Sequence, residues 1–166
     1  MIKPLTRSAT LVLAQGLTTV EGYPEQLVNW TFDDPLQDTD PNNNILVNQW
    51  YNWGATLAVA NGNLTVTNTA GYGSARQRVD TLEVGKTYKF RAECIGGTSR
   101  VFLGTSNGGN QIKNFPTEYA ATPERPDVVE HTFTWGSGAY FFVRLMTHSN
   151  TPGLTTTWTF ASLKEV

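Results

Sequence analysis

The residues of this sequence best suited to chemistry are aromatic rings that stand close to guanidinium and amide groups. Six of them make up the candidate site: Trp50, Tyr51, Trp53, Tyr72, Arg76 and Gln77. Sugar-binding sites place Trp or Tyr rings against the apolar C–H face of a pyranose and surround them with groups that hydrogen-bond its hydroxyls. The six residues therefore form a candidate glycan platform. The alternative is structural: Trp50 or Trp53 caps a core, Gln77 bonds backbone groups and Tyr72 closes a loop.

Residues that could catalyse a reaction do not form a recognised pattern. His131 and His148 are the available histidine bases, and neither lies in a motif typical of a nucleophilic triad. Glycoside hydrolysis needs two carboxyl groups about 5 to 9.5 Å apart across a cleft. The spacing of Asp80, Glu93 and Glu130 does not require such a pair. We therefore expect no enzymatic activity and no catalytic residue.

Residues 38–44, DTDPNNN, place oxygen ligands at every second position, as the first half of a calcium loop does. The segment then departs from that pattern, because Pro41 stiffens its centre, Asn43 replaces a glycine and Gln49 stands where a bidentate Glu belongs. A solvated loop is favoured, and we expect no cofactor. The weak candidate ligands for a structural calcium ion are Asp33, Asp34, Asp38 and Asp40.

The composition limits the partners of the chain. Its 166 residues fit one domain, and its net charge of -2 with a pI near 5.6 predicts no basic patch, which argues against nucleic acid. The longest apolar run near the start, residues 9–14, is far shorter than the roughly 20 residues of a membrane-spanning helix. Cys94 is the only cysteine, so the chain has no intrachain disulfide. We expect neither nucleic acid nor membrane as a partner.

Alternation of apolar and polar residues predicts strands throughout the chain. The clearest case is the run in which Tyr88, Phe90, Ala92 and Cys94 alternate with polar residues. The other predicted strands lie within residues 27–33, 45–53, 64–67, 74–82, 100–104, 127–135, 139–147 and the C-terminal segment. No segment has a helical period. Many short strands between Gly, Asn and Pro turns predict an all-β fold, an antiparallel β-sandwich.

Several finer features follow from the same patterns. Residues 111–126 are expected to form an irregular connection, and a change of parity predicts a β-bulge near Ala161 and Ser162. Trp135, Trp158 and His131 are expected in the core. The outward side of residues 139–147 is unusually apolar for a solvated face, so we expect it to contact a loop, the N-terminal segment or another subunit. Its residues are Tyr140, Phe142, Arg144 and Met146.

The turns and strands between residues 61 and 94 also carry a resemblance to a known family. The pattern G-x-L-x-V, a Gly pair, A-x-Q-x-V and L-x-x-G-K-T-Y-x-F resembles carbohydrate-binding modules of the family 4/9/22 kind, of which similar domains occur in bacteriophage head and tail proteins. The matching residues are Gly62, Leu64, Val66, Gly71, Gly73, Ala75, Gln77, Val79, Leu82, Gly85, Lys86, Thr87, Tyr88 and Phe90.

The resemblance covers roughly residues 27–166 and implies a jelly roll, with the domain at residues 25–166. It includes residues 29–33, similar to the family's opening strand, and the aromatic residues at 50–53. The family often holds a structural calcium ion with an Asp of the last strand. Thr159 stands at that position here, which weakens the implied metal site.

Residues 1–24 match nothing in the resemblance, and their Thr, Ser and Gly content predicts an extended arm, either disordered or docked on a neighbouring subunit. We therefore expect a non-enzymatic virion structural protein: a bacteriophage capsid decoration, head-fibre or tail appendage subunit on the particle surface. Its partners would be other virion proteins, through the arm, and further copies of the chain in a homo-oligomer. The alternative is a secreted glycan-binding module that attaches a particle or an enzyme to polysaccharide.

Overall fold

The computed structural model of the chain describes residues 24–27, 30–33, 50–107, 109–116, 119–136, 138 and 140–166. Within this part of the chain, ten strands form two five-stranded antiparallel sheets, and no helix is present. The strands pack their apolar sides together into a β-sandwich. The predicted all-β jelly-roll fold is confirmed.

The two sheets have regular but non-sequential strand orders. Sheet I contains, in spatial order, β1 (Tyr51–Trp53), β4 (Ser74–Val79), β9 (Phe141–Thr147), β6 (Ser99–Gly104) and β7 (Lys113–Pro116). Sheet II contains β2 (Ala55–Ala60), β3 (Asn63–Asn68), β10 (Thr155–Glu165), β5 (Thr87–Gly96) and β8 (Asp127–Thr134). The longest strands, β10 and β5, pair in the middle of sheet II.

The core lies between the sheets and follows the alternation read from the sequence. The inward residues of β5, from Tyr88 to Cys94, are buried as predicted, and Trp135 and Trp158 are buried as well. His131 is half-buried, and its ring lies 5.7 Å from that of Phe115 on β7 and 6.1 Å from that of Phe133. These rings close the sandwich where the edge strands β7 and β8 approach each other.

The predicted strand over residues 27–33 is wrong for the residues that the structure describes there. Trp30 and Thr31 lie in a turn, and Phe32 adopts a left-handed conformation with φ of 54°. The side chain of Phe32 is fully buried and meets Trp50 edge to face at 5.7 Å between ring centroids. The backbone beside this buried ring is attached to β10, since the Trp30 carbonyl accepts from the Ala161 N–H at 3.0 Å.

Two other expectations also need correction. Residues 111–126 were predicted to form an irregular connection. Part of this segment is instead the short edge strand β7, which pairs with β6. Its largely exposed sequence, KNFP, lacks the alternation that marks a half-buried strand. The register irregularity in β10 lies between Thr157 and Phe160, upstream of the predicted Ala161–Ser162 bulge. The shift leaves Trp158 paired with Cys94 inside the core.

Some expectations fall on residues that the structure does not describe. Residues 1–23 hold all but the last residue of the predicted arm, and residues 34–49 include the calcium candidates Asp34, Asp38 and Asp40. The candidate Asp33 is described and exposed. In the described part of the chain, no group of three or more His, Cys, Asp or Glu side chains is placed to hold a metal ion.

Candidate functional site

Sheet I turns one side of its strands to the core and the other side away from it, and we call the second side the open face. The strand register aligns one outward residue from each strand in a row across the whole sheet: Tyr51, Arg76, Arg144, Phe102 and Asn114. The next row along the strands is Trp53, Ser74, Met146, Arg100 and Pro116. The open face is therefore built mainly from arginines and aromatic rings.

Two arginines in the centre of the open face are almost completely buried. Arg76 is 4% exposed and Arg144 is 8% exposed, and they are directly opposed in the pairing of β4 with β9. Arg76 donates from Nη1 to the Asn107 side-chain oxygen at 2.6 Å and from Nε to the Ser74 hydroxyl at 3.0 Å. Arg144 donates to the backbone carbonyl of Tyr72 at 3.4 Å. Loop residues on both sides thus hold the guanidinium groups in place.

The electrostatics of this pair follow from burial and from their proximity. Loss of water, followed by the charge of Arg144, lowers the pKa of Arg76 to about 10. Burial also lowers the pKa of Arg144. Both groups nevertheless remain protonated at neutral pH. Tyr51, which donates to Asn107 at 3.2 Å, has its pKa raised mainly by burial and stays neutral. The centre of the open face therefore carries two adjacent positive charges.

Three exposed rings lie around this centre, and each has an arginine beside it. Trp53, Tyr72 and Tyr140 are 44%, 46% and 41% exposed. The guanidinium carbon lies 4.5 Å from the ring centroid for Arg76 over Trp53, 4.2 Å for Arg78 over Tyr140 and 5.9 Å for Arg100 over Tyr72. Such cation–π contacts favour a defined ring orientation. The rings are thus accessible and held in position.

The structure brings together four of the six residues of the predicted platform. Tyr51, Trp53 and Arg76 lie on the open face, and Tyr72 lies beside it. Trp50 is buried in the core against Phe32, in agreement with the structural alternative. Gln77 is fully buried on the core side of β4, because consecutive strand residues point to opposite faces. It therefore shares no surface with its neighbour Arg76.

Several residues of the open face were not identified from the sequence as site residues. From the sequence, Arg144 was predicted only to lie on an unusually apolar strand face. The structure places it directly opposite Arg76. Arg100 and Phe102 come from β6, and Asn107 from the loop that follows it, distant in sequence from Arg76. The apolar outward side of β9 was the available signal, since such a side is unusual for a strand facing water.

The three carboxylates considered for catalysis, all in the described part of the chain, make separate contacts. Asp80 accepts two hydrogen bonds from Arg78 at the end of β4. Glu93 accepts from Thr159, and Glu130 forms an ion pair with Lys89 at 2.8 Å, both on sheet II. These carboxylates are engaged in structural contacts on different sheets of the sandwich.

Because Trp50 is buried and Trp53 is exposed, their alanine substitutions should lower the free energy of unfolding by different amounts. Trp50→Ala removes a core side chain and should lower the free energy of unfolding by about 3–5 kcal/mol. Trp53→Ala removes a half-exposed ring with one cation–π contact and should cost about 1 kcal/mol or less. Urea denaturation followed by circular dichroism measures both. Equal losses for the two variants would contradict this placement.

Comparison with known proteins agrees with this architecture. No protein-family model and no curated protein matches the sequence. Among solved structures, a family 4 carbohydrate-binding module matches with a TM-score of 0.62 and 18% identity, over 84% of this chain and 99% of the module. The family 22 xylan-binding domain from Paenibacillus barcinonensis Xyn10C has a TM-score of 0.57 and 10% identity, over 87% of this chain and 96% of that domain.

A phage protein is also similar. The enzymatically active domain of bacteriophage CBA120 tailspike protein 4 matches with a TM-score of 0.51 and 13% identity, over 86% of this chain and 21% of that one. No helix in the described part of the chain is long and apolar enough to cross a membrane. At these identities the likeness is one of fold, and it confirms the resemblance noted in the sequence: the chain has the jelly-roll fold of the carbohydrate-binding modules.

Proposed function

We propose that the chain is a non-catalytic polysaccharide-binding module and that the open face of sheet I is its binding surface. The observation that carries this proposal is the combination of three exposed rings, Trp53, Tyr72 and Tyr140, with arginines that lie against them on one face. Scattered single aromatic residues on a surface need no explanation, but a group on one sheet face indicates a binding site.

The chemistry of the face suits a carbohydrate. An exposed ring stacks on the C–H face of a pyranose, and a neighbouring guanidinium or amide bonds the hydroxyl groups at its rim. Five strands spaced about 4.8 Å apart make the face roughly 19 Å wide between its outer strands. That width accommodates several linked sugars rather than one. A polysaccharide is therefore a better ligand for this face than a monosaccharide.

The fold supports the same assignment by analogy. Two of the matching modules are described as carbohydrate-binding, one of them as xylan-binding. Because a fold alone does not determine a function, the side chains of the open face carry the argument and the fold adds to it.

Removal of single rings should reduce polysaccharide binding without unfolding the protein. Trp53→Ala and Tyr72→Ala should each weaken binding by about tenfold, since each removes one aromatic contact. The measurement is retardation of the native full chain in affinity gels containing xylan, β-glucan or polygalacturonate.

The matched control is Trp30→Ala. Trp30 is also exposed, at 38%, but it lies beside Lys164 of sheet II, away from the open face. We expect this variant to bind as the original chain does. Loss of binding in Trp30→Ala, with unchanged binding in the other two variants, would exclude the open face as the site.

A second candidate function is that of a virion structural protein, in which this module is an appendage of a phage particle. The similarity to the phage tailspike domain favours it. In this role residues 1–24 act as an arm that docks on other virion proteins or on further copies of the chain. The protein would then lie on the particle surface, whereas a module with the glycan-binding role alone would be secreted. Both roles are compatible with a sugar-binding open face.

The arm hypothesis predicts an oligomer that depends on residues 1–24. Sedimentation equilibrium of the full chain and of a chain shortened to residues 25–166 measures this directly. We expect the full chain to associate and the shortened chain to be a folded monomer. Association that persists without the arm would place the contact on the sandwich instead, and two monomers would favour the glycan-binding role alone.

A further inference from the structure

In the described part of the chain each sheet has two edge strands, and most of these edges carry features that oppose pairing with another chain. An unpaired edge is a template for a further strand unless it is very short, charged or interrupted by proline. Strand β1 is only three residues long, β7 contains Lys113 and Pro116, and β8 carries Asp127 and Glu130. Strand β2, with the sequence ATLAVA, has no charge, no proline and no bulge in its register. Among these strands, β2 is therefore the edge best suited to pairing.

The backbone of β2 leaves hydrogen-bonding groups at this edge. Asn61 and Gly62 have positive φ, 53° and 70°, as in a two-residue type I′ turn between β2 and β3. The residues that flank such a turn bond to each other, and the bonding then alternates along the pair. Every second residue of β2, counted back from Ala60, therefore bonds to β3. The N–H and C=O groups of Leu57 and Val59 point to the open edge, and no hydrogen bond from another described residue reaches them.

The side chains of β2 also suit an added strand. Leu57 and Val59 are half-buried and pack against the core. The outward residues Thr56, Ala58 and Ala60 are exposed and uncharged. An added strand with alternating apolar residues would cover the first two side chains and meet no charge on its outward side. Strand addition at a sheet edge is a common way to bind an extended peptide.

The N-terminal segment contains a sequence of this kind. Residues 9–14, ATLVLA, match β2, ATLAVA, at four of six positions, and they contain no charge, proline or glycine. The segment lies outside the described residues, which begin at Pro24, next to the bridge between Glu25 and Lys164 of β10. The intervening residues 15–23 can span about 30 Å when extended. That length is sufficient to reach a neighbouring copy.

We propose that residues 9–14 of one copy bind as an added antiparallel strand at the β2 edge of a second copy. This inference rests on the arm role, the second candidate function above. In the register that aligns the apolar side chains, Val12 lies opposite Ala58. The two leucines of the segment then exchange backbone hydrogen bonds with Leu57 and Val59. Two copies that exchange arms in this way form a closed dimer. Because β2 belongs to sheet II, the arms and the open face of sheet I use different sheets.

Sedimentation equilibrium of the full chain tests the segment. Leu13→Asp places a charge against the apolar edge and should weaken the dimer by about tenfold or more. The matched control is Thr19→Asp, which adds the same charge to the arm outside residues 9–14 and should leave the dimer unchanged. Equal weakening by the two variants would overturn the assignment to this segment.

Disulfide cross-linking locates the edge, because two residues opposite each other in a non-hydrogen-bonded pair lie within disulfide range. Full chains with Val12→Cys are mixed with full chains with Ala58→Cys and oxidised, and the linked peptides are identified by mass spectrometry. We expect a link between positions 12 and 58. The matched control replaces the second variant by Thr132→Cys, an exposed position on the edge strand β8 of the same sheet, and should give at least about tenfold less linked product. The native Cys94 is buried, which raises its pKa to about 11, so we expect it not to react.

The possible results separate this inference from the arm role. A link found only within single chains that carry both cysteines would place the arm on its own β2 edge and overturn binding to a second copy. Linkage of position 58 to itself in place of position 12 would show direct pairing of two β2 edges and overturn the arm as the occupant. Equal linkage of positions 58 and 132 to position 12 would overturn the assignment to β2. A dimer without the expected link would overturn this docking edge and leave the arm role intact, whereas a full chain that is monomeric throughout would contradict the arm role itself.

Discussion

The position of the Arg76 and Arg144 guanidinium groups depends on the register of the central strand of sheet I. In β9, Val143 and Leu145 are fully buried in the core, so Arg144 between them must point outward. Antiparallel pairing then places it opposite Arg76 on β4 and Phe102 on β6. A slip of one residue would turn the arginine into the core, which its charge forbids. Core packing therefore determines the arrangement of the open face.

Strand β9 is buried along its whole length although one of its sides faces away from the core. Loop residues contact the outward side: Asn107 accepts from Arg76 and Tyr51, and the Tyr72 carbonyl accepts from Arg144. These contacts use part of the donor capacity of the two guanidinium groups. The surface thus has exposed rings at its rim and two opposed guanidinium groups at its centre.

Local patterns were sufficient to predict the sandwich. Alternation located most of the strands, and the turn and core residues between 61 and 94 identified the jelly roll. Edge features were harder to predict, because β7 buries little and the path through Phe32 depends on a distant contact with Trp50. The site was only partly predictable. Strand alternation separates Gln77 from Arg76, whereas the pairing of Arg76 with Arg144 depends on a long-range register that no local pattern contains.

The most direct test of the central claim, that sugars bind on the open face, is a ¹H–¹⁵N correlation spectrum of the full chain during titration with oligogalacturonates and xylo-oligosaccharides. The Trp53 indole and the Arg76 Nε–H report on the face, while the indoles of Trp30 and Trp158 report on an outlying surface and on the core. The account predicts that the first two signals shift and the other two stay in place. Shifts centred on Trp30, or a spectrum unchanged by either series, would contradict it.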